Sequence, residues 1–451
     1  MTTTDVQAKK KLPLFPHATP APRGRALTNE VRPVDEKWKP TYVVWEITLA
    51  CDLACGHCGS RAGRARPDEL STEEALDLVQ QMKEMGTSEV TLIGGEAYLR
   101  DDWRIIARAI TDAGMRCTMT TGGRAMTPER AKDVYDAGIR MVSVSVDGLR
   151  ETHDRLRAVK GSFDAALTAM QNLRAAGVRV AANTQFSRPS LAEIPALFEI
   201  LADHGIVAWQ VQLTVAMGRA ADEPELLLEP WQVLEVFPML AQLKERSKAR
   251  RVNLWPGNNI GYFGPYEDIL RGFLPRGHMA SCGAGRSTMG LEANGNVKGC
   301  PSLPSKDYTG GNVRDHSLKD VWQRADELRF TRDRTVEKDL FGRCRDCYYA
   351  DTCRAGCSWT STVLFGRHGD NPFCHHRALE LLREGKREVL RKVEDAPGQP
   401  FDQGRFEIVV EDMPESERAR LTALGEEGDR AADRVRAADT VALGSKPPPS
   451  T

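Results

Sequence analysis

The chain has 451 residues, 62 Lys and Arg against 63 Asp and Glu, and 41% apolar residues. These are globular values, enough for about three domains of roughly 150 residues, and the balanced charge excludes a nucleic-acid binder that works by neutralising many phosphates. No apolar run reaches the roughly 18 residues of a membrane span, and Met1–Pro22 lacks the apolar core of a signal peptide, so a cytoplasmic protein is expected, in which 11 cysteines mean metal ligation or redox chemistry rather than disulfides.

Residues 1–40 are rich in Pro, Lys, Arg and Thr without periodicity and are expected to form a flexible arm. Tyr42–Leu49 reads as a strand, because β-branched and aromatic residues dominate it. Ser71 and Glu74 form a capping box for a helix over Ser71–Met85, with apolar residues at Ala75, Leu78, Val79, Met82 and Met85 and Gly86 closing it. The alternation continues: strands are expected at Glu89–Ile93, Arg116–Thr121, Met141–Val146, Val178–Gln185 and Trp209–Thr214, and helices at Asp102–Ala113, Pro128–Ala137, Phe163–Ala176 and Leu191–His204. Short connections between alternating strands and helices mean a parallel sheet. The fold class is therefore α/β. Six such strands fit a partial (βα)6, TIM-like barrel over residues 41–221, and a doubly wound sheet shares the local pattern.

Residues 222–281 combine a charged helical stretch with a Gly/Pro/Asn-rich segment, Pro256–Pro265, and read as a bridge with a substrate-facing loop. From residue 282 to 376, seven cysteines stand among turn residues, and so small a segment needs metal staples. Residues 376–395 read as a last helix inside a C-terminal extension over 377–410. Residues 411–451 are charged, poor in aromatics and expected to be disordered.

Two cysteine constellations carry the chemistry. Cys51-Asp-Leu-Ala-Cys55-Gly-His-Cys58 puts three thiols on the loop after the first strand. Three thiols cover three irons of a [4Fe–4S] cubane and leave the fourth open to a ligand; on spacing alone a zinc set is the alternative. Gly94-Gly95-Glu96 ends the second strand. Together these motifs resemble the radical S-adenosylmethionine (SAM) enzymes. The resemblance implies that the open iron chelates the amino and carboxylate groups of SAM, and that Gly94, Gly95 and Glu96 receive its ammonium. Reductive cleavage of SAM would then release a 5′-deoxyadenosyl radical that abstracts a substrate hydrogen. By the same resemblance His57 lies near the adenine, and Ser145, Asn183, Gln185 and Arg219 sit where ribose, carboxylate or adenine are contacted.

The second array runs Cys282-x12-Gly295-x4-Cys300, Cys344-x2-Cys347-x5-Cys353-x3-Cys357, then Cys374. It resembles the SPASM pattern that follows the barrel in one radical SAM subgroup, and the resemblance spans residues 42 to about 376. It implies two auxiliary [4Fe–4S] clusters, three clusters in all with the SAM-binding one. Cys344, Cys347, Cys353 and Cys374 would complete one auxiliary cluster. Cys282, Cys300 and Cys357 would hold the other, one iron being left for His278, water or substrate. Cys117, outside the pattern, reads as a buried inert thiol.

SPASM relatives are mostly maturases of ribosomally made peptides, so crosslinking or oxidation of a peptide is the activity the resemblance implies. Oxidation, epimerisation or decarboxylation of a sugar- or nucleoside-like metabolite is the alternative, and a non-catalytic iron–sulfur electron carrier or metal scaffold is the reading of another class. Pro301 and Ser302 follow Cys300 where sulfatase-maturing members carry Asp, which argues against that activity. The expected partners are an external electron donor such as flavodoxin or ferredoxin and, since only about 40 residues precede the first strand, a separate leader-peptide-binding protein. Neither a membrane nor a nucleic acid is expected as a partner.

Overall fold

A computed structural model of the chain describes Leu27 and residues 30–261, 264–271 and 282–444. His278 and the Tyr262-Phe263 pair of the expected substrate-facing loop lie outside the described residues. Six parallel strands stand where the sequence puts them: β1 (Tyr42–Glu46), β2 (Glu89–Ile93), β3 (Arg116–Thr121), β4 (Met141–Ser145), β5 (Arg179–Phe186) and β6 (Ala208–Leu213). Helices α1 (Thr72–Glu84), α2 (Trp103–Asp112), α3 (Pro128–Asp136), α4 (Arg150–Arg157), α5 (Ser162–Ala175) and α6 (Ile194–Asp203) connect them. The Ser71–Glu74 capping box forms as expected. Helix α4 had no sequence signal of its own.

The strands alternate in a way that makes the lumen. In β4, Val142 and Val144 are fully buried, while Met141, Ser143 and Ser145 face the other side. In β6, Trp209, Val211 and Leu213 are buried and Gln210 and Gln212 are not. A period of two sends the apolar set outward under the helices and the polar set into the barrel. Parallel register aligns these polar positions in rows, with Ser145 opposite Asn183 and Asn183 opposite Gln210.

The sheet is longer than six strands. Helix α7 (Val233–Ala249) returns the chain to β7 (Asn253–Pro256), which pairs in parallel with β6, so the bridge region contributes a seventh parallel strand. On the opposite edge β8 (Thr288–Leu291) pairs in parallel with β1, and β9 (Asn296–Lys298) and β10 (Thr309–Asn312) continue antiparallel. The resulting order, β10-β9-β8-β1-β2-β3-β4-β5-β6-β7, is an open barrel onto whose β1 edge the cysteine-rich segment is built. Gly295, the one glycine of the cysteine array, turns the β8–β9 hairpin at φ +87, a conformation costly for any residue with a Cβ.

Three terminal expectations are corrected. The arm is docked from residue 30 onward: Pro33–Lys37 is a turn of helix, and the buried Asp35 carboxylate meets Arg32, Arg329 and Arg332 at 2.8, 2.9 and 3.0 Å. The last helix over 376–395 ends early. Helix α9 (His375–Arg383), which follows α8 (Ser358–Phe365), stops before Gly385 at φ +69, and β11 (Lys386–Glu394) then pairs with β12 (Arg405–Asp412). Finally, residues 415–444 form a long helix, α10, instead of a disordered tail. Its apolar stripe is thin, but Leu421, Ala431, Ala432 and Val435 are buried where α10 packs against α7. Arg420 and Arg434 pair with Glu235 and Glu245 of α7. Charge density suggested disorder because the partner surface is almost 200 residues away.

Candidate active site

The three-cysteine loop leaves β1 and is held to the barrel by backbone bonds and arginines. Gly63 N–H donates to Leu49 O, Cys51 N–H to Gly63 O and Gly56 N–H to Leu156 O. Arg219 donates from Nε to Cys55 O at 2.6 Å and from both Nη atoms to Ala62 O. Arg219, expected as a SAM contact, thus braces the loop. Arg124 donates to Asp52 O. Arg157 of α4 reaches Cys55 Sγ at 3.7 Å and Asp147 at 2.5 Å. His57 is buried with Nε2 3.1 Å from Asp147 Oδ2, and its Nδ1 has no partner. Asp147 also accepts from Gln185 N–H at 2.9 Å. One carboxylate after β4 therefore ties the cysteine loop, α4 and β5 together. Burial opposes its charge, but Arg157 and His57 hold Asp147 far below the usual carboxylate range.

Sequence reasoning singled out Ser145 on β4 and missed Asp147, two residues on, and Arg157. A polar residue just past a strand end was the available signal for Asp147; nothing marked Arg157. Ser145, Asn183 and Gln185 do come together as a half-exposed row on β4 and β5.

Gly94 and Gly95 are required by the neighbouring strand. A Cβ on Gly94 would lie 2.2 Å from Thr48 O, and one on Gly95 2.3 Å from Ala50 O. Their close approach lets Gly95 and Glu96 N–H donate to these carbonyls at 2.8 Å each. That carries Glu96 under the cysteine loop. Its Oε2 accepts from Gly122 N–H at 2.8 Å, and its Oε1 is buried without a partner. Burial pushes the Glu96 carboxyl up to about 8, with hydrogen bonds from Thr121 and Gly122 opposing. A buried orphan carboxylate oxygen beside three thiols is what an ammonium-bearing ligand would satisfy.

The thiols group as the array predicts. Burial raises Cys51 up to about 12, and Glu96, Cys55 and Cys58 add to it. Cys300 rises through burial and then through Cys282 and Cys357. Cys353 rises through burial, Cys374 and Cys347, and Cys344 through burial, Asp370 and Cys374. Three, three and four sulfurs thus stand in separate electrostatic neighbourhoods, while Cys117 is buried alone. Cys357 and Cys374 stand at the N-caps of α8 and α9; burial pushes each thiol up to about 11, and backbone N–H groups of the first turn oppose that rise. Thiolates on one zinc crowd to about 4 Å, whereas those on a cubane each cap a different iron and stand farther apart. Among the described residues no three His, Cys, Asp or Glu side chains converge tightly enough for one ion. The sulfur-only donor sets and the orphan Glu96 oxygen fit iron–sulfur clusters with one ligand-binding iron.

The barrel holds a cavity of about 890 Å³, lined by none of the cysteine-loop residues. Residues of β1–β7 form its walls, including Ser143, Asn183, Gln210 and Gln212, with Tyr42, Trp255, Asn258 and Trp359. Cys282, Cys300 and Cys357 line the same cavity. The other auxiliary set does not.

Comparison with known proteins gives concordant findings. The Radical SAM superfamily pattern matches residues 45–187, and an iron–sulfur cluster-binding domain, SPASM, matches residues 282–348. An AdoMet-dependent heme synthase of Methanosarcina barkeri is 31% identical, over 75% of this chain and 97% of its own length. The mycofactocin maturase MftC of Mycobacterium tuberculosis is 31% identical, over 70% of this chain and 78% of its own. Among solved structures, Streptococcus suis SuiB bound to S-adenosylmethionine aligns with a TM-score of 0.59 at 17% identity, over 75% of this chain and 77% of that one. The anSMEcpe enzyme with bound AdoMet and a peptide aligns with a TM-score of 0.60 at 15% identity, over 75% and 96%. At such identities the structural likeness speaks for the fold.

Proposed function

Because the chain belongs to the radical SAM enzymes that carry a C-terminal SPASM domain, we propose that it directs SAM-derived radical chemistry at a peptide held in the barrel lumen, crosslinking or oxidising it. Cys51, Cys55 and Cys58 would hold a [4Fe–4S] cluster, which would supply the electron for reductive cleavage of SAM. Glu96 would take the SAM ammonium on its free Oε1. Asp147 and Arg157 hold the loop at Cys55 and His57. The row Ser145, Asn183 and Gln185 offers hydroxyl and amide groups to the ribose and carboxylate.

The observation that carries the peptide reading is the cavity wall. The amides of Gln210 and Asn258, exposed, and of Asn183 and Gln212, half-buried, can each donate and accept, which suits peptide groups, and aromatic Tyr42 and Trp359 suit side chains. A second reading follows from the heme-synthase relatives: a carboxylated tetrapyrrole. Arg116 and Arg179 are the cations on the wall that favour it, but Arg116 is already paired with Glu89 at 2.7 Å. Two arginines, one of them spent, supply little for a ligand with several carboxylates.

Anaerobic reconstitution with iron and sulfide, followed by SAM, dithionite and the short peptides encoded beside the gene, tests this. The expected result is 5′-deoxyadenosine formation with loss of two hydrogens from one peptide. Release of carbon dioxide from iron-coproporphyrin, with every peptide unchanged, would move the assignment to the second reading. Absence of SAM cleavage would remove both.

A further inference from the structure

The buried cations of the cysteine-rich segment are nearly all neutralised. Lys298 lies 2.8 Å from Glu292, Arg329 and Arg332 share Asp35, and Arg377 pairs with Asp370 at 2.8 Å and Glu388 at 2.7 Å. Arg334 is the exception. It sits in the loop before the short helix Val336–Asp339 and is 3% exposed, yet among the described residues no carboxylate lies within ion-pair distance of it. Its Nη2 donates to Ser358 Oγ at 2.6 Å and its Nη1 to Arg354 O at 3.2 Å, while Nε has no partner. Asp339, the acid that bears on it, is occupied by Thr335 N–H at 2.8 Å and His368 at 3.7 Å.

A buried guanidinium without a counter-charge costs several kcal/mol, at order of magnitude, and is not retained without compensation. Burial works against its charge here; Cys282 is the first group that works for it, then Asp339, Tyr308 and Cys357. Ser358, its hydrogen-bond partner, directly follows Cys357. The Phe330 ring lies 5.5 Å from the guanidinium carbon, and the bond to Ser358 sets Arg334 beside the segment that carries Cys357 in the three-cysteine auxiliary set. A thiolate-bound cluster is net negative, and nearby positive charge favours its reduced form and raises its reduction potential.

We infer that Arg334 is the counter-cation of the Cys282, Cys300 and Cys357 centre, a positioning residue that offsets the cluster's charge and sets its reduction potential above that of a centre without one. This rests on reading those cysteines as cluster ligands, and the test separates the two. The full chain is reconstituted anaerobically as wild type, Arg334→Lys and Arg334→Gln, and each is titrated potentiometrically under EPR without substrate. In Arg334→Gln the reduced-to-oxidised ratio of this centre, read at the wild-type midpoint, falls about tenfold, equivalent to about 59 mV for one electron. Arg334→Lys keeps that ratio within about threefold, because the charge remains. Iron content and SAM cleavage at the Cys51, Cys55 and Cys58 site stay at wild-type levels in both. An unchanged midpoint in Arg334→Gln with iron retained overturns the assignment, as does a shift in Arg334→Lys as large as in Arg334→Gln. If Arg334→Gln loses iron, retention in Arg334→Lys supports the charge role and loss in both overturns it. If Cys282→Ala carries the same iron as wild type, the cluster reading fails and takes this assignment with it.

Discussion

The two auxiliary cysteine sets lie in one stretch of chain, yet they are built in opposite ways. Cys344, Cys347, Cys353 and Cys374 form a complete set of four, away from the lumen. The charges around them are balanced, with Arg377 between Asp370 and Glu388. Cys282, Cys300 and Cys357 are one short of four, line the lumen and face the unbalanced Arg334. A closed site is what a structural staple needs, and an open site is what chemistry needs. On the proposed reading, count, exposure and charge together would separate a staple from a working centre where spacing alone cannot.

The strongest way to break this comparison is to remove one thiol from each set. Cys347→Ala should cost the fold itself, since metal binding at structural sites contributes on the order of 10 kcal/mol; soluble yield and thermal unfolding of the anaerobic protein read this out. Cys282→Ala should remain folded and still cleave SAM, but make no product. Equal loss of fold in both would show that both sets are staples.

Arg377→Met removes the balance at the closed site. It leaves Asp370 buried without its cation and Glu388 with only Arg343 at 3.7 Å, and about 3–5 kcal/mol of stability is expected to go. Chemical denaturation measures it, and a loss below about 1 kcal/mol would mean the pairs are replaceable.

Glu96→Gln sharpens the idea that an open site is prepared for its ligand. Losing a buried charge partner costs about 2–5 kcal/mol. SAM should therefore bind at least about 30-fold more weakly by equilibrium titration, with iron content unchanged.

The smallest effect is expected where the cysteine-rich segment joins the barrel. Glu46, buried on β1, is raised by desolvation and by Glu292 against the pull of Arg66, and its Oε2 has no partner. Its folded-state pKa lies above its unfolded one, so between those values the native state holds a proton the unfolded chain has lost, and stability falls as pH rises. Glu46→Gln removes that penalty. It should equal wild type near pH 4 and exceed it by on the order of 1 kcal/mol near pH 8 in denaturant titrations. A constant difference across this range would refute the assignment.

Much of the site was legible because it is local. Cys51, Cys55 and Cys58 share one loop, Gly94–Glu96 one strand end, and Gly295 one hairpin turn, so spacing alone reports them. Arg157, Asp147 and Arg334 bear on Cys55, His57 and Cys282 across 102, 90 and 52 residues of chain; Asp147 has only its place past a strand end to mark it, and Arg157 and Arg334 have nothing that distinguishes them from surface charges. The bonds of Arg219 to Cys55 O and Ala62 O could not be read from the chain, because a sequence does not show which atoms an arginine meets. The C-terminal extension was misread for a related reason. The stripe Leu421, Ala431, Ala432, Val435 is too thin to outweigh the charge around it until α7 lies alongside.

By itself the sequence determined the alternation of strand and helix, the parallel sheet that follows from it and the two cysteine constellations that carry the family resemblance. Periodicity and spacing are properties of neighbours in the chain, and short-range geometry translates them directly into structure. Tertiary structure alone decided that β8 continues the barrel sheet from β1, that α10 is ordered, that one auxiliary set opens on the lumen, and that Arg334 is the cation left over. Each of these depends on which distant surfaces exclude water from one another, and burial is what turns an ordinary side chain into a costly, and therefore informative, one.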